Sequence, residues 1–176
     1  MATYSEIQTR VRRRVIDLPS AVLTEVPKLI NEAMKSIQRK HNFKVMKSLA
    51  GPFTTTVDTN TLGAVPSNFK EYRGLPYFVD YYGAYHDITV AENIQSPNDR
   101  YDATDKNSPK VLLESIPTDA NVRNWLVYPL ADGYSDWSDG EYRVYVPYWR
   151  YVADLSGDTE TSWVTTSAEE LLFCKA

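Results

Sequence analysis

The spacing of apolar residues changes near Asn42, from a helical period before it to a strand-like period after it. Before this point, apolar side chains recur every three or four residues, which places them on one face of a helix. After it, Thr, Val, Tyr and Phe are divided by Gly, Pro, Asn and Asp, as in short strands joined by turns. The change predicts an α+β protein with a helical part followed by a long β region.

Two helices are predicted in the N-terminal part. Thr3 and Glu6 have the spacing of a capping box, in which each side chain bonds the backbone N–H of the other residue, so the first helix begins here. Pro19 ends it, and a second helix begins between residues 20 and 25, with Pro27 tolerated in its first turn. The predicted apolar stripes are Tyr4, Ile7, Val11, Val15 and Leu18 on the first helix and Val26, Ile30, Ala33, Ile37 and His41 on the second.

The β region contains several short strands separated by turn sequences. Two of them flank Gly83 and Ala84, an arrangement typical of a β-hairpin. Many short strands without intervening helices predict an antiparallel sandwich or a barrel-like domain. The predicted strands cover residues 53–57, 77–82, 85–90, 110–114, 123–128 and 141–146.

Helical spacing returns at the end of the chain, where Ser167 and Glu170 repeat the capping-box pattern. The β region is therefore interpreted as an insertion into a small helical bundle. We expect an N-terminal helical hairpin at residues 1–42, an inserted antiparallel β domain at residues 43–163, and the start of a C-terminal helix at residues 164–176. Because this last helix is short, we expect either that the natural chain continues further or that the helix docks on the first two.

A cluster of arginines lies on the polar side of the first helix, at Arg10, Arg13 and Arg14. Guanidinium groups pair well with phosphate, so a nucleic-acid contact is one interpretation. A solvated helix face is favoured, because no aromatic residues lie between these arginines and nothing nearby would read bases. In an oligomer, the same arginines would pair with acidic residues of a neighbouring subunit.

The acidic segment at residues 132–141 includes Asp136, Trp137 and Asp139 and resembles a binding site more than any other segment. Calcium is the obvious ligand for closely spaced carboxylates. The spacing departs from the helix-loop-helix calcium pattern, however, and Asp and Gly are also common in hairpin turns. We therefore expect an exposed turn and no bound metal or other cofactor.

Aromatic residues are dense near residue 148, with Tyr148 and Trp149 flanked by Tyr145 and Tyr151. Such rings can stack on sugars. Aromatic side chains on strands more often pack against neighbouring strands, and packing is the favoured interpretation.

No catalytic arrangement is found in the sequence. It has no serine-hydrolase elbow, no phosphate-binding glycine loop and no dinucleotide fingerprint, and Cys174 is its only cysteine. The N-terminus lacks the apolar run of a signal peptide, and no segment is long and apolar enough to span a bilayer. We expect an intracellular protein that is not an enzyme and has no membrane partner. The net charge of −4 argues against general coating of nucleic acid.

Several segments share their order and spacing with one family of viral proteins. They are TYSEI at residues 3–7, VPKLINEA at 26–33, VPSNFKEYR at 65–73, PKV at 109–111, the strand at 142–149 and SWV at 162–164. Together they resemble the tailed-bacteriophage adaptor family, the head-to-tail connector proteins that bind below the portal. The resemblance covers nearly the whole chain and depends on order more than on any one residue.

This resemblance implies a structural virion protein, located in the neck between capsid and tail and assembled in the host cytoplasm. It implies a homo-oligomeric ring, commonly of twelve copies, that binds the portal protein and tail or tail-nozzle proteins. Double-stranded DNA would pass through the ring without sequence-specific binding. The candidate subunit or partner interface residues are Arg10, Arg13, Arg14, Asp136, Trp137, Asp139, Tyr148 and Trp149.

Two other functions remain open at this point. A β-sandwich carbohydrate-binding module would use surface Tyr and Trp residues and would bind glycans as a monomer. A hydrolase would use paired carboxylates of the acidic segment, and replacing Asp136 or Asp139 with Asn would abolish its turnover.

Overall fold

The chain has two compact units. The computed structural model describes residues 2–14, 19–80, 82–91, 107–115, 122–130, 142–163 and 165. The helical unit consists of Met1–Met46 with Tyr151–Ala176, and the β unit is Lys47–Arg150. Helices in the first and two sheets in the second confirm the predicted α+β class.

Helix α1 begins with the capping box that the sequence predicted. The backbone N–H of Thr3 donates to a Glu6 carboxylate oxygen at 2.9 Å, and the N–H of Glu6 donates to the Thr3 hydroxyl at 3.3 Å. This reciprocal pair satisfies N–H groups that the first turn of a helix leaves without partners. The described helices are α1 (Tyr4–Arg14), α2 (Ser20–Thr24) and α3 (Val26–Lys40), followed by a short 3₁₀ helix (Lys44–Met46).

The predicted second helix is divided in two at Glu25. Pro27 has no backbone N–H and so cannot bond the carbonyl of Leu23, which a continuous helix would require. The helix therefore ends at Thr24 and restarts at Val26, where the proline lies in the first turn. None of the described helices combines the length and apolar character that crossing a bilayer requires.

The core of the helical unit lies between α1 and α3. Ile7, Ile30 and Met34 are each 0% exposed, and the hydroxyl of Tyr4 donates to the backbone oxygen of Pro27 at 2.9 Å. The apolar stripes are confirmed where they are described, except at His41, which follows the end of α3 and is exposed. Val15 and Leu18 lie outside the described residues. Buried core residues of this unit are Ala2, Tyr4, Ile7, Val11, Val26, Ile30, Ala33, Met34, Ile37 and Leu155.

A segment after the last strand returns to the helices. Asn31 bonds both backbone groups of Leu155, and the side-chain oxygen of Gln38 accepts the N–H of Val152 at 2.7 Å. From the sequence, residues 151–163 are expected in the inserted β domain, and in the structure these contacts attach the segment to α3. The predicted inserted domain at residues 43–163 and the predicted C-terminal helix at residues 164–176, of which only residue 165 is among the described residues, remain predictions.

The larger sheet of the β unit is organised around its last strand. Strand β9 (Arg143–Arg150) pairs antiparallel with β1, β3 and β4, and β4 pairs with β5 in the hairpin that the sequence predicted. The partner strands are β1 (Lys47–Thr54), β3 (Phe69–Tyr72), β4 (Tyr77–Val79) and β5 (Tyr85–Asp87). The first strand thus begins and ends earlier than the predicted 53–57, and its register shifts between Ala50 and Phe53.

The smaller sheet has the order β2, β8, β7, β6. The chain changes sheet at Ile88, which is 0% exposed, between the end of β5 and the start of β6. Strands β6 and β7 pair in parallel, unlike the antiparallel pairing expected, and residues 91–110 supply the long connection that a parallel pair needs. The strands are β2 (Thr61–Ala64), β6 (Thr89–Val90), β7 (Val111–Glu114) and β8 (Asn124–Tyr128).

Candidate interaction surfaces

One face of the five-stranded sheet carries a row of tyrosines. Tyr77 and Tyr145 lie opposite each other on β4 and β9, and their rings stack with centroids 5.2 Å apart and an angle of 16°. On its other side, Tyr77 contacts the ring of Tyr85, with centroids 5.3 Å apart. We call these three residues the tyrosine row; it runs across three adjacent strands.

The tyrosine row is accessible at its edge. Tyr85 is 72% exposed, whereas Tyr77 is half-buried between its two neighbours. Burial, followed by the neighbouring Tyr85 and Tyr145, raises the pKa of the Tyr77 hydroxyl. The flat rings and hydroxyl groups of the row suit contacts with another protein.

Trp149 lies on the same face of β9 as Tyr145, because side chains two or four residues apart share one side of a strand. Its partner in the register is Lys47 of β1, whose ammonium lies 5.8 Å from the indole centroid. Leu49, two residues along β1, is 48% exposed. This face thus combines aromatic, apolar and cationic groups.

Tyr148 points to the opposite side of the sheet from Trp149. It is 5% exposed, its ring stacks on Phe69 with centroids 5.6 Å apart, and its hydroxyl bonds the side-chain oxygen of Asn68 at 3.4 Å. This position accords with the favoured packing interpretation and leaves little of the ring for a partner. A role for Tyr148 or Trp149 in an interface remains a prediction.

The hairpin that carries Tyr85 is held by Asp80. One Asp80 carboxylate oxygen accepts the N–H of Ala84 at 2.8 Å, and the other lies 2.8 Å from Nε2 of His86. The bond with His86, followed by that with Ala84, lowers the pKa of Asp80. The turn is therefore fixed by a carboxylate that is favoured in its charged form.

Acid is expected to loosen this hairpin. Because the native pKa of Asp80 lies below its unfolded value of about 3.9, the stabilisation is complete above that pH and is lost as pH falls through the lowered native pKa. Amide hydrogen exchange at Ala84, compared with a β9 amide between pH 6 and 3, measures the loss. Asp80→Asn should remove this pH dependence. If the exchange rate of Ala84 depends on pH in the same way in the variant, Asp80 is not the group that holds the hairpin.

The arginines of α1 are exposed along its second half. Arg10, Arg13 and Arg14 all lie on the solvent side of the helix, as the sequence predicted, together with Arg12. The helix carries its acidic residue, Glu6, in the first turn and its basic residues in the last. Such a distribution complements the helix dipole.

The remaining candidate residues, Asp136, Trp137 and Asp139, lie outside the described residues. Within the part of the chain that is described, no group of three or more His, Cys, Asp or Glu side chains is arranged to hold a metal ion. The tyrosine row was missed because Tyr77 becomes a neighbour of Tyr85 and of Tyr145 only through strand pairing. The period-two spacing of these strands was the only available signal.

Fold and surfaces together define a structural α+β protein whose described features suit binding to other proteins. A sequence model of the SU10 adaptor protein family matches residues 2–174, and the chain belongs to this phage head-tail adaptor family. None of the curated proteins matches the chain. Membership implies a structural role in a virion, at its neck, in association with portal and tail components. The family resemblance predicted from the sequence is confirmed.

Proposed function

We propose that the chain is the subunit of an adaptor ring that joins the portal of a phage capsid to the tail. The observation that carries this proposal is the family match, which spans residues 2–174. The ring extends the DNA channel, acts without catalysis and assembles in the host cytoplasm. Its subunits number twelve, as in the arrangement that the resemblance implies.

The two units suit this task in different ways. The helical unit offers charged helix surfaces of the kind that neighbouring subunits can pair. The β unit offers the tyrosine row with Trp149, a surface suited to a tail or tail-nozzle protein. The net charge of −4 favours passage of double-stranded DNA without adhesion to the ring.

Portal-dependent assembly tests the proposed function. We expect mass photometry to show portal rings gaining about twelve subunit masses when the chain is added, whereas the chain alone stays small at the same concentration. An unrelated protein of similar size serves as the control. If the portal rings keep their mass when the chain is added at micromolar concentration, the adaptor function is excluded.

Glycan binding is the second candidate, and the exposed ring of Tyr85 is the observation that favours it. A ring that binds a sugar needs an exposed face, but the rings of Tyr77 and Tyr145 stack on each other. We therefore expect no glycan-array signal above background from the purified chain. Reproducible binding that is lost in Tyr85→Ala would favour the carbohydrate-binding module instead.

A further inference from the structure

Charges in the helical unit are separated along α1. The basic end consists of Arg10, Arg12, Arg13 and Arg14, which are exposed in the second half of the helix. The acidic end lies at the start of α1, where the turn at residues 157–160 is hydrogen-bonded to the first residues of the helix. The two ends carry opposite charge on one rigid element.

Backbone hydrogen bonds fix the acidic turn to the helix. The N–H of Tyr4 donates to the carbonyl of Glu160 at 2.9 Å, and the N–H of Ser5 donates to the carbonyl of Asp158 at 3.1 Å. The turn is closed by the N–H of Glu160, which donates to the carbonyl of Gly157 at 2.9 Å. The turn thus satisfies helix N–H groups that would otherwise lack partners, which holds its side chains in place.

Three exposed carboxylates make up the acidic end: Glu6, Asp158 and Glu160. Asp158 and Glu160 contribute to raising the pKa of the Tyr4 phenol, after burial and the charge of Asp154. Glu160 stays charged, since the N–H groups of Ser156 and Gly157 lower its pKa.

Cations near the acidic end have partners in their own chain. Lys35 lies 2.7 Å from the Asp154 carboxylate, and Lys28 lies 3.9 Å from that of Glu25. These two lysines therefore compensate Asp154 and Glu25. Neither lysine forms an ion pair with a carboxylate of the acidic end in the described part of the chain.

The ends are too far apart to neutralise each other fully. Glu6 and Arg10 are four residues apart, about 6 Å along the axis, but Arg13 and Arg14 lie about 12–15 Å from Tyr4 and Ser5, which hold the acidic turn, at 1.5 Å per residue. Charges in physiological salt are screened over about 8 Å. Each end therefore presents its own potential to a second molecule.

We propose that the basic end of α1 in one copy docks on the acidic end of the helical unit in the next copy. Two different surfaces then meet, so the contact repeats head to tail and closes a ring when the rotation per subunit allows. The inference rests on the proposed adaptor function and names the subunit contact of that ring.

Stabilisation of the helix dipole within one chain is the competing explanation of the same charges. It predicts effects on helix stability in each variant separately. It predicts no dependence of one molecule on the charge of another. Exchange of charge between two molecules therefore separates the explanations.

Two charge-reversed variants provide the test. Arg12→Glu, Arg13→Glu and Arg14→Glu together change the charge of the basic end from +4 to −2. Asp158→Lys, Thr159→Lys and Thr161→Lys together change that of the acidic end from −3 to +1 and keep the bonds of Glu160. We expect each variant alone to lose at least about tenfold in portal-dependent assembly, because like charges meet at every contact. Circular dichroism verifies that both stay folded.

Mixing the two variants should restore assembly. In an alternating arrangement, a negative end meets a positive end at every contact, so the equimolar mixture should regain most of the wild-type assembly. Arg39→Glu with Lys40→Glu and Lys44→Glu, the same charge change at and just after the end of α3, is the matched control. This control should assemble alone and should not rescue the variant with the reversed acidic end.

The outcomes distinguish this inference from the adaptor function. If the wild-type chain assembles on portal rings but the reversed variants assemble equally well, or their mixture recovers nothing, the proposed contact is wrong and the adaptor function stands. If the wild-type chain fails to assemble with portal, the adaptor function itself fails. Restoration by the mixture supports both.

Discussion

Replacement of Trp125 with alanine is expected to lower the free energy of unfolding of the β unit by about 3–5 kcal/mol. Trp125 is 0% exposed, and its ring meets Phe53 and Phe69 edge to face, with centroids 5.5 and 5.8 Å apart. Alanine would leave a cavity between these rings, because a packed interior relaxes only partly around a lost side chain. The same substitution also breaks a hydrogen bond between the sheets.

That hydrogen bond belongs to a short polar chain. The indole N–H of Trp125 donates to the Tyr72 hydroxyl at 3.0 Å, and this hydroxyl donates to the Glu114 carboxylate at 3.0 Å. Arg123 completes the chain by donating to the other oxygen of Glu114, also at 3.0 Å. Burial, followed by the charge of Glu114, raises the pKa of Tyr72, so its proton stays in place as the donor.

Two variants separate packing from hydrogen bonding in this measurement. Tyr72→Phe keeps the ring and removes the hydroxyl, with an expected cost of about 1–2 kcal/mol. Trp149→Ala is the matched control on the half-exposed face of the sheet, with an expected cost of about 1 kcal/mol. Urea unfolding followed by far-ultraviolet circular dichroism, fitted with one transition per unit, gives the three values. Equal costs for Trp125 and Trp149 would contradict a packed core at Trp125.

The helices could be predicted from the sequence because their signals are local. The capping box at Thr3 and Glu6 and the three- and four-residue spacing of apolar side chains act within a few turns. The break at Glu25 was missed, although Pro27 was recognised. A proline in a first turn indicates where a helix begins, but not whether another helix ends just before it.

Strand positions were predictable, whereas strand partners were not. Alternation along β9 shows that Tyr148 and Trp149 face opposite sides, yet both sides carry aromatic residues, so the sequence does not reveal which is buried. The tyrosine row requires the pairing of β4 with both β5 and β9. Such long-range pairing depends on the whole β unit and leaves no local pattern.

The return of residues 151–163 to the helices also had no local signal. The segment is rich in Asp, Ser, Gly and Thr and reads as a turn. Its attachment depends on Asn31, whose partner Leu155 is 124 positions away in sequence. An asparagine on a helix gives no indication that it will bond a distant backbone group.

Replacement of Asn31 with alanine is expected to destabilise the helical unit by about 2–3 kcal/mol. The side-chain amide donates to the carbonyl of Leu155 at 3.0 Å and accepts its N–H at 3.0 Å, so both polar groups of one residue depend on it. Leu155 is 5% exposed within the helical core. Without Asn31, two backbone groups beside an apolar side chain would lose their partners.

Two further variants locate the origin of this effect. Lys35→Ala removes the ion pair with Asp154 on the same segment, but both side chains are nearly half exposed, so solvent screening limits the expected cost to below about 1 kcal/mol. Asn31→Asp keeps the acceptor for the Leu155 N–H and places a carboxylate oxygen against the Leu155 carbonyl.

The pH dependence of Asn31→Asp gives the sharper result. Only the protonated acid can donate to the Leu155 carbonyl, so the native state favours protonation and raises the pKa of the introduced group above its unfolded value. The cost of the substitution, measured against wild type by urea unfolding at each pH, should therefore be largest near pH 7 and shrink as the pH falls toward 4. A cost that is independent of pH, or equal effects of Asn31→Ala and Lys35→Ala, would show that the amide bonds do not hold the returning segment to α3.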